Sequence, residues 1–309
     1  MGAGKPLFLS PELLEALPGK SSPLAPSNGD AEKASLNPSF FHALNREKQF
    51  SIVLLSRAGG SSPLGEALLT SPRWIFTDVT PWGYRFEPAS VPSPAPWSLP
   101  PHEALLAQHP DSKERTSWLV GTAENLIVIG STREAEQLLA MAALTKKLPS
   151  QVLGAQASLR ASRGEWNDAL TLAKEAIAKD STNDAAREIM IRALTESGRP
   201  DESLDEARKL VKRHKNTETL FLLARAANAA NSENEEIVAL QGLVELGRKN
   251  NQPLGASLTY LGQALAKNGQ RGAALRAFRE ALDSPELSED QRQMIRQLAD
   301  HITPDQPQK

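Results

Sequence analysis

The stretch GEWNDALTLAKEAI at residues 164–177 determines the fold of the C-terminal half of this chain. Gly164 can end one helix in a turn, and small residues then recur on one face of the next helix at Ala169, Ala173 and Ala176. The same arrangement returns 34 residues later, in Gly198, Ser203, Ala207 and Leu210. A fixed period of this length is typical of a helical solenoid, in which each pair of helices packs on the next pair.

The repeats are predicted to fill residues 149–302, followed by a tail at 303–309. Copies are expected at 150–183, 184–216 and 217–250, and a fourth follows four extra residues at 251–254. The segment from Ser288 to His301 has Met294, Ile295 and Leu298 on one side and polar residues on the other. A solenoid needs such a polar-backed helix at its end, so we expect a capping helix there.

The last copy resembles the tetratricopeptide repeat (TPR) family in Leu261, Gly262, the turn at Gly269, and Ala274, Phe278 and Ala281. The resemblance implies that the first helices of successive repeats line a groove that binds a peptide. The groove residues implied in this way are Ser158, Ser162, Glu188, Arg192, Phe221, Arg225, Asn228, Tyr260, Gln263 and Lys267.

Arg192, Arg225 and Lys267 would give this groove a positive bias, which favours a protein or peptide partner with an acidic segment or a C-terminal carboxylate. The chaperone-binding members of the family hold their ligand with a clamp of Lys and Asn. Gly154 and Ser158 stand at the first two clamp positions here, so that particular partner is not implied. An ordinary solvated helix face that makes only contacts between repeats stays open as the alternative.

Residues 1–47 are predicted to be a proline-rich leader or linker. The segment from Ser10 to Leu17 could form one short helix, capped by Ser10, with Pro11 in its first turn. Whether this leader is a docking segment stays open.

Residues 48–148 are predicted to form a small α/β domain. Apolar runs at 50–55 and 73–79 indicate two strands, and a helix opened by Pro63 would join them as a parallel pair with a right-handed crossover. The proline-dense segment 81–101 is expected to be a loop packed through its aromatic residues. Residues 117–121 and 126–130 are expected to form a β-hairpin, before a helix from Ser131 to Lys147.

This order of elements resembles the thioredoxin fold, carried by residues 52–55, 77–79 and 118–129. Laid on that family, Gly59, Gly60, Ser61 and Ser62 occupy the place of its C-x-x-C motif, as a vestigial loop. The proline that the family has before its third strand is also missing, near Thr116 and Ser117. The resemblance therefore implies a fold without dithiol chemistry, and together with the repeats it is similar to the chaperedoxin architecture.

The composition removes several classes of function. The 309 residues contain no cysteine, which excludes disulfides, thiolate metal sites and dithiol redox catalysis. The net charge of -2 gives no electrostatic reason to expect nucleic acid. No apolar run is long enough to span a membrane. The five histidines include no pair at ligand spacing on a helix, so we expect neither a metal nor a cofactor.

The sequence thus predicts a small thioredoxin-like α/β domain followed by an all-α TPR solenoid. We expect a non-enzymatic scaffold that binds a peptide or client protein, of chaperone or assembly-factor type, in the cytoplasm. An enzyme that uses the loop from Gly59 to Ser62 at a helix N-terminus remains a second hypothesis. A purely structural subunit of a larger complex is the third, and export or peripheral attachment to a membrane also stays open.

Overall fold

The computed structural model describes residues 5–8, 38, 41–43, 46, 50–56, 63–89, 96–101, 104, 107, 111–144, 149–250, 252, 254–285 and 287–302. The predicted helix at 10–17 and the loop from Gly59 to Ser62 lie outside these residues. The chain divides into two compact units, Met1–Arg163 and Gly164–Lys309. The predicted division lay at 148/149, so the helix expected to begin the first repeat falls in the first unit.

The first unit contains a four-stranded sheet. Its strands are β1 (Lys5–Phe8), β2 (Phe50–Ser56), β3 (Trp74–Thr80) and β4 (Gly83–Pro88). The order across the sheet is β1, β2, β4, β3, with β1 parallel to β2 and with β4 antiparallel to both β2 and β3. Strand β4 therefore lies between the two strands that we expected to be neighbours.

Strand β3 lies where a strand was expected, but its hairpin partner β4 lies within the segment that we expected to be a loop from Pro81 onward. Side chains alternate along β4, because Tyr84 and Phe86 are buried while Arg85 and Glu87 are only half-buried. The ring of Phe86 packs on Phe76, with centroids 5.6 Å apart. This period of two is the ordinary pattern of a half-buried strand, and it places the aromatic residues in the core.

The first unit also contains the helices α1 (Pro63–Thr70), α2 (Ser112–Val128), α3 (Thr132–Ala142) and α4 (Ser150–Ser162). The N-terminus of α2 is capped by Asp111, whose carboxylate accepts hydrogen bonds from the backbone N–H groups of Lys113 and Glu114 at 2.8 Å. These bonds hold the pKa of Asp111 below its usual value. Leu119, Ala123 and Leu126 recur on the buried face of this helix.

The β-hairpin expected at 117–130 is therefore wrong, because one continuous helix occupies nearly all of that segment. The expected pairing of the strands at 50–55 and 73–79 is wrong as well, since both bond to β4 instead of to each other. Both elements carried the resemblance to thioredoxin. A thioredoxin-like arrangement is consequently not confirmed.

The second unit is helical throughout its described residues. The helices are α5 (Trp166–Lys179), α6 (Asp184–Glu196), α7 (Pro200–Arg213), α8 (Thr217–Ala229), α9 (Glu233–Lys249), α10 (Gly255–Lys267), α11 (Arg271–Leu282) and α12 (Glu289–Asp300). Each helix packs against the next one in the chain. The pairs α6/α7, α8/α9 and α10/α11 are the helical hairpins that the repeat pattern predicted, and α12 takes the place of the predicted cap.

A residue with positive φ ends the turn before each second helix. Gly198 and Gly269 lie 71 residues apart in the chain and have φ values of 71° and 77°, and Asn231 at φ 53° holds the same place in the copy between them. Left-handed backbone is favourable for Gly and tolerable for Asn, so these residues can close the helix before them. The four extra residues predicted at 251–254 account for the longer interval before the last turn.

Candidate interaction surface

The outward sides of α6, α8 and α10 form what we call the first-helix face. It is defined by the predicted residues Arg192, Phe221, Arg225, Asn228, Tyr260, Gln263 and Lys267. All of these side chains are exposed except that of Phe221, which is half-buried. The predicted Glu188 is half-buried on α6, whereas Ser158 and Ser162 lie on α4 in the first unit.

The structure brings Phe221 of α8 and Tyr260 of α10 together. Their ring centroids are 5.7 Å apart and the ring planes are tilted by 52°. Tilted rings at this distance are a favourable arrangement for aromatic side chains. Tyr260 is 48% exposed, so a ring that would otherwise be expected to be packed away is open to solvent. The pair forms an accessible apolar patch across two repeats.

Asn228 and Lys267 also meet across α8 and α10. The Nζ atom of Lys267 donates a hydrogen bond to Oδ1 of Asn228 over 3.1 Å. Both side chains are exposed at the C-terminal ends of their helices. Together with the aromatic pair, this contact shows that α8 and α10 present their predicted groove residues side by side.

Arg225 links α8 to α6 through the carboxylate of Glu196, which is not among the predicted groove residues. Its Nη2 atom lies 3.4 Å from Oε1 of Glu196, and both side chains are more than 40% exposed. A pair this exposed contributes little to stability, because water screens it. Its effect on the surface is larger, since Glu196 neutralises part of the positive charge that Arg225 was expected to supply.

A second carboxylate outside the predicted groove residues, Glu236, lies near Lys267 at the start of α9. Burial raises the pKa of Glu236, the positive charge of Lys267 acts in the opposite direction, and the negative charge of Glu233 raises it further. Its Oε2 atom is buried and has no hydrogen-bond partner among the described residues. Glu233 itself accepts a hydrogen bond from Nδ2 of Asn268 over 2.9 Å.

These carboxylates were missed because they do not lie among the outward positions used to define the groove. Glu196 is in the last turn of its helix, and Glu236 belongs to a second helix, which the family pattern assigns to the other side. Three acidic residues in the first turn of α9, Glu233, Glu235 and Glu236, were the available signal. Acidic side chains are favourable near the N-terminus of a helix in general. This run could therefore have predicted negative charge at the start of α9, where it faces the ends of the neighbouring helices.

Two observations bear on other kinds of site. Within the described ranges, no group of three His, Asp or Glu side chains is placed to hold a metal ion. No described helix combines the length and the apolar composition that crossing a bilayer requires.

Comparison with known proteins bears on the fold of the chain alone. No protein-family model matches this sequence, and no curated protein matches it either. The chain is similar in fold to the APC/C hetero-tetramer Cut9-Hcn1, at 16% identity and a TM-score of 0.52, over 64% of this chain and 38% of that one.

Other solved structures match with TM-scores below 0.5. MamA from Desulfovibrio magneticus RS-1 matches at 17% identity and a TM-score of 0.48, over 56% of this chain and 93% of that one. YrrB, described as a TPR protein with an unusual peptide-binding site, matches at 12% identity and 0.48, over 65% and 100%. At these identities and TM-scores the likeness carries no further argument. The second unit is a stack of helical hairpins by its own packing.

Proposed function

We propose that this protein is a non-enzymatic scaffold that binds a peptide or client protein on the first-helix face. The observation that carries the proposal is the exposed ring pair of Phe221 and Tyr260, set beside the polar contact between Asn228 and Lys267. Aromatic residues are enriched where proteins bind other proteins, and a neighbouring polar contact can fix the orientation of the partner.

The partner that this surface fits is a segment with an acidic residue or a C-terminal carboxylate. Arg192 is exposed and makes no ion pair with any described carboxylate, and Lys267 bonds to a neutral amide. Both cations can therefore donate hydrogen bonds to a negatively charged group of a partner. A chaperone-like or assembly-factor role in the cytoplasm is consistent with such a surface and belongs to the proposal.

Site-specific photo-crosslinking of the full chain tests this function. A photoreactive amino acid replaces Gln263 on the first-helix face. A matched probe replaces Lys212, which is exposed on α7, the second helix of the α6/α7 hairpin. We expect a discrete crosslinked partner from position 263 in cells, and we expect that product to be lost when Phe221→Ala and Tyr260→Ala are combined.

The same experiment separates the scaffold from its rivals. Ser61→Ala combined with Ser62→Ala should leave the product from position 263 unchanged, because the loop takes no part in the proposed contact. Equal products from positions 263 and 212, or a product that does not depend on the two aromatic residues, would rule out the first-helix face as the binding surface.

A further inference from the structure

The boundary between α8 and α10, which we call the α8/α10 seam, carries two chemically different contacts at a fixed separation. Phe221 and Asn228 are seven residues apart on α8, and Tyr260 and Lys267 are seven residues apart on α10. Seven residues of helix rise about 10 Å, so the aromatic pair and the Asn228–Lys267 pair stand about that far apart along the seam. Both pairs bridge the same two helices.

We propose that the α8/α10 seam binds an extended segment in which an apolar or aromatic residue and an acidic residue are separated by a defined spacing. In the polyproline II form of an extended chain, each residue advances about 3.1 Å and every third side chain returns to the same face, so the seam matches two side chains three positions apart. This inference rests on the proposed function, and it specifies the chemistry of the partner.

The aromatic end of the seam is suited to an apolar side chain. Phe221 is half-buried and held by its neighbours, while Tyr260 leaves 48% of its surface exposed. The two tilted rings present a face and an edge at once, which is the geometry in which a further ring or an aliphatic side chain packs well. Covering such a patch removes apolar surface from water.

The other end is suited to a carboxylate. Lys267 uses one N–H donor on the Oδ1 atom of Asn228, so further donors on its ammonium group remain for a ligand. The same bond occupies the acceptor side of the amide, which leaves the NH₂ group of Asn228 as a donor. An ammonium and an amide donor side by side can both bond to one carboxylate, and bonds of this kind are among the stronger ones in proteins.

The middle of the seam is a poorer place for the acidic residue. Arg225 lies between the two contacts on α8, but Glu196 already pairs with it. A ligand carboxylate there would meet a charge that is partly neutralised. Lys267 lies near Glu236 too, but its hydrogen bond goes to the neutral amide of Asn228. The acidic residue therefore fits the Lys267 end better, which gives the segment a register.

Fluorescence anisotropy on the full chain tests the spacing. The probes are short labelled peptides of the same composition, each with one phenylalanine and one glutamate in a background of serine and glycine. In one probe the two residues have the proposed spacing, in the second they are adjacent, and in the third they are twice as far apart. We expect the first probe to bind about tenfold more tightly than the others, because only it engages both ends at once.

A charge exchange tests the acidic end. Lys267→Glu should weaken the first probe about tenfold and strengthen a probe whose glutamate is replaced by lysine, since the substitution removes the attraction to the glutamate and puts repulsion in its place. Lys212→Glu is the matched control on α7 and should change neither affinity. Lys267→Gln removes the positive charge without adding a negative one, and it serves as a control for misfolding. Circular dichroism should show the same helix content in Lys267→Glu, Lys267→Gln and Lys212→Glu.

Two results would overturn the inference. The three spacings could bind equally well, or the first probe could bind Lys267→Glu as tightly as the original chain. If either is seen while crosslinking from position 263 still depends on Phe221 and Tyr260, the scaffold stands and only the two-point recognition fails. If that crosslinking fails too, the proposed function fails with it.

Discussion

The ring of Phe278 lies directly against the backbone of Gly262. A Cβ atom placed on Gly262 would stand 2.5 Å from Cε1 and 2.7 Å from Cδ1 of that ring. Phe278 is 1% exposed, so its ring has no free space into which to retreat. The Gly and the aromatic residue of the repeat pattern are thus two halves of one contact between α10 and α11.

Gly262→Ala should therefore destabilise the second unit, although alanine favours a helix more than glycine does. The inserted methyl group forces the ring or the helix to move, which costs about 1–3 kcal/mol and exceeds the gain of about 1 kcal/mol in helix propensity. Urea unfolding followed by far-ultraviolet circular dichroism measures the change.

Gly272→Ala is the matched control on α11. The nearest atom to a Cβ at Gly272 is Nη1 of Arg276, at 3.9 Å. With no such overlap, alanine should stabilise the helix by a few tenths to about 1 kcal/mol. Gly262→Ala and Gly272→Ala with the same sign would contradict the steric explanation.

The repeats could be predicted from the sequence because their packing is local and recurs. Ala274 and Ala281 on α11 are fully buried, as the small residues of the pattern required. The most extensive contacts join helices that are neighbours in the chain, so the period indicates which buried residues meet. The turns at Gly198 and Gly269 lie where the pattern placed them, because a left-handed residue must follow each first helix.

The first unit was harder to predict because its contacts are distant in the chain. The segment 117–129 is rich in β-branched and aromatic residues, which favour strands in isolation. Its burial follows the helical spacing of Leu119, Ala123 and Leu126, and Asp111 caps it. Tertiary packing on the sheet outweighed the local preference, and strand β4 was missed because the prolines around it suggested a loop.

The candidate surface was predictable only in part. The register of the repeats put Phe221, Asn228, Tyr260 and Lys267 on one expected face, but it did not indicate that Phe221 meets Tyr260 or that Asn228 meets Lys267. The charge of the surface could not be obtained in this way, since Glu196 approaches from the end of its own helix. Net charge on a surface depends on such neighbours as much as on the outward residues.

Asn125 should be important for the first unit, because it joins α2 to the β3–β4 hairpin. Its Nδ2 atom donates to the carbonyl of Thr80 over 2.6 Å, and Tyr84 donates through Oη to its backbone carbonyl over 2.9 Å. Asn125→Ala leaves the Thr80 carbonyl without this donor in a partly buried site, which should cost about 1 kcal/mol. Tryptophan fluorescence during urea unfolding can follow the loss, since Trp74 and Trp97 belong to the same core.

Ser117→Ala provides the comparison on the same helix. Ser117 is exposed, so its replacement should change the free energy of unfolding by less than about 0.5 kcal/mol. An equally small effect of Asn125→Ala would mean that the hydrogen bond to Thr80 contributes nothing to the packing of α2.

Glu235 should make stability depend on pH in the acidic range. Arg208 of α7 donates to it through Nε at 2.9 Å and Nη2 at 2.6 Å, and these bonds hold the pKa of Glu235 below its usual 4.5. A lowered folded-state pKa contributes stability above the unfolded value, and that contribution is lost as the pH falls through the folded value. Glu235→Gln should therefore be less stable than the original chain near neutral pH, and the difference should shrink below pH 4.5.

Thermal unfolding of both chains over this pH range makes the measurement. Glu245→Gln is the control, because Glu245 is exposed on the same helix. A difference between Glu235→Gln and the original chain that stays constant with pH would show that the ion pair to Arg208 is not what the substitution removes.

Glu236, the next residue along α9, should behave in the opposite sense. Burial raises its pKa above 4.5 and outweighs the attraction of Lys267, because no described group donates a hydrogen bond to its buried Oε2 atom. A raised folded-state pKa means that the contribution to stability is full below the unfolded value and is lost as the pH rises through the folded value. Glu236→Gln removes the buried charge, so it should be more stable than the original chain near neutral pH, with the advantage vanishing in acid. The same series of thermal unfolding measurements covers both variants. If Glu236→Gln, like Glu235→Gln, is less stable than the original chain near neutral pH and the difference shrinks in acid, the burial of Glu236 does not disfavour its charged form.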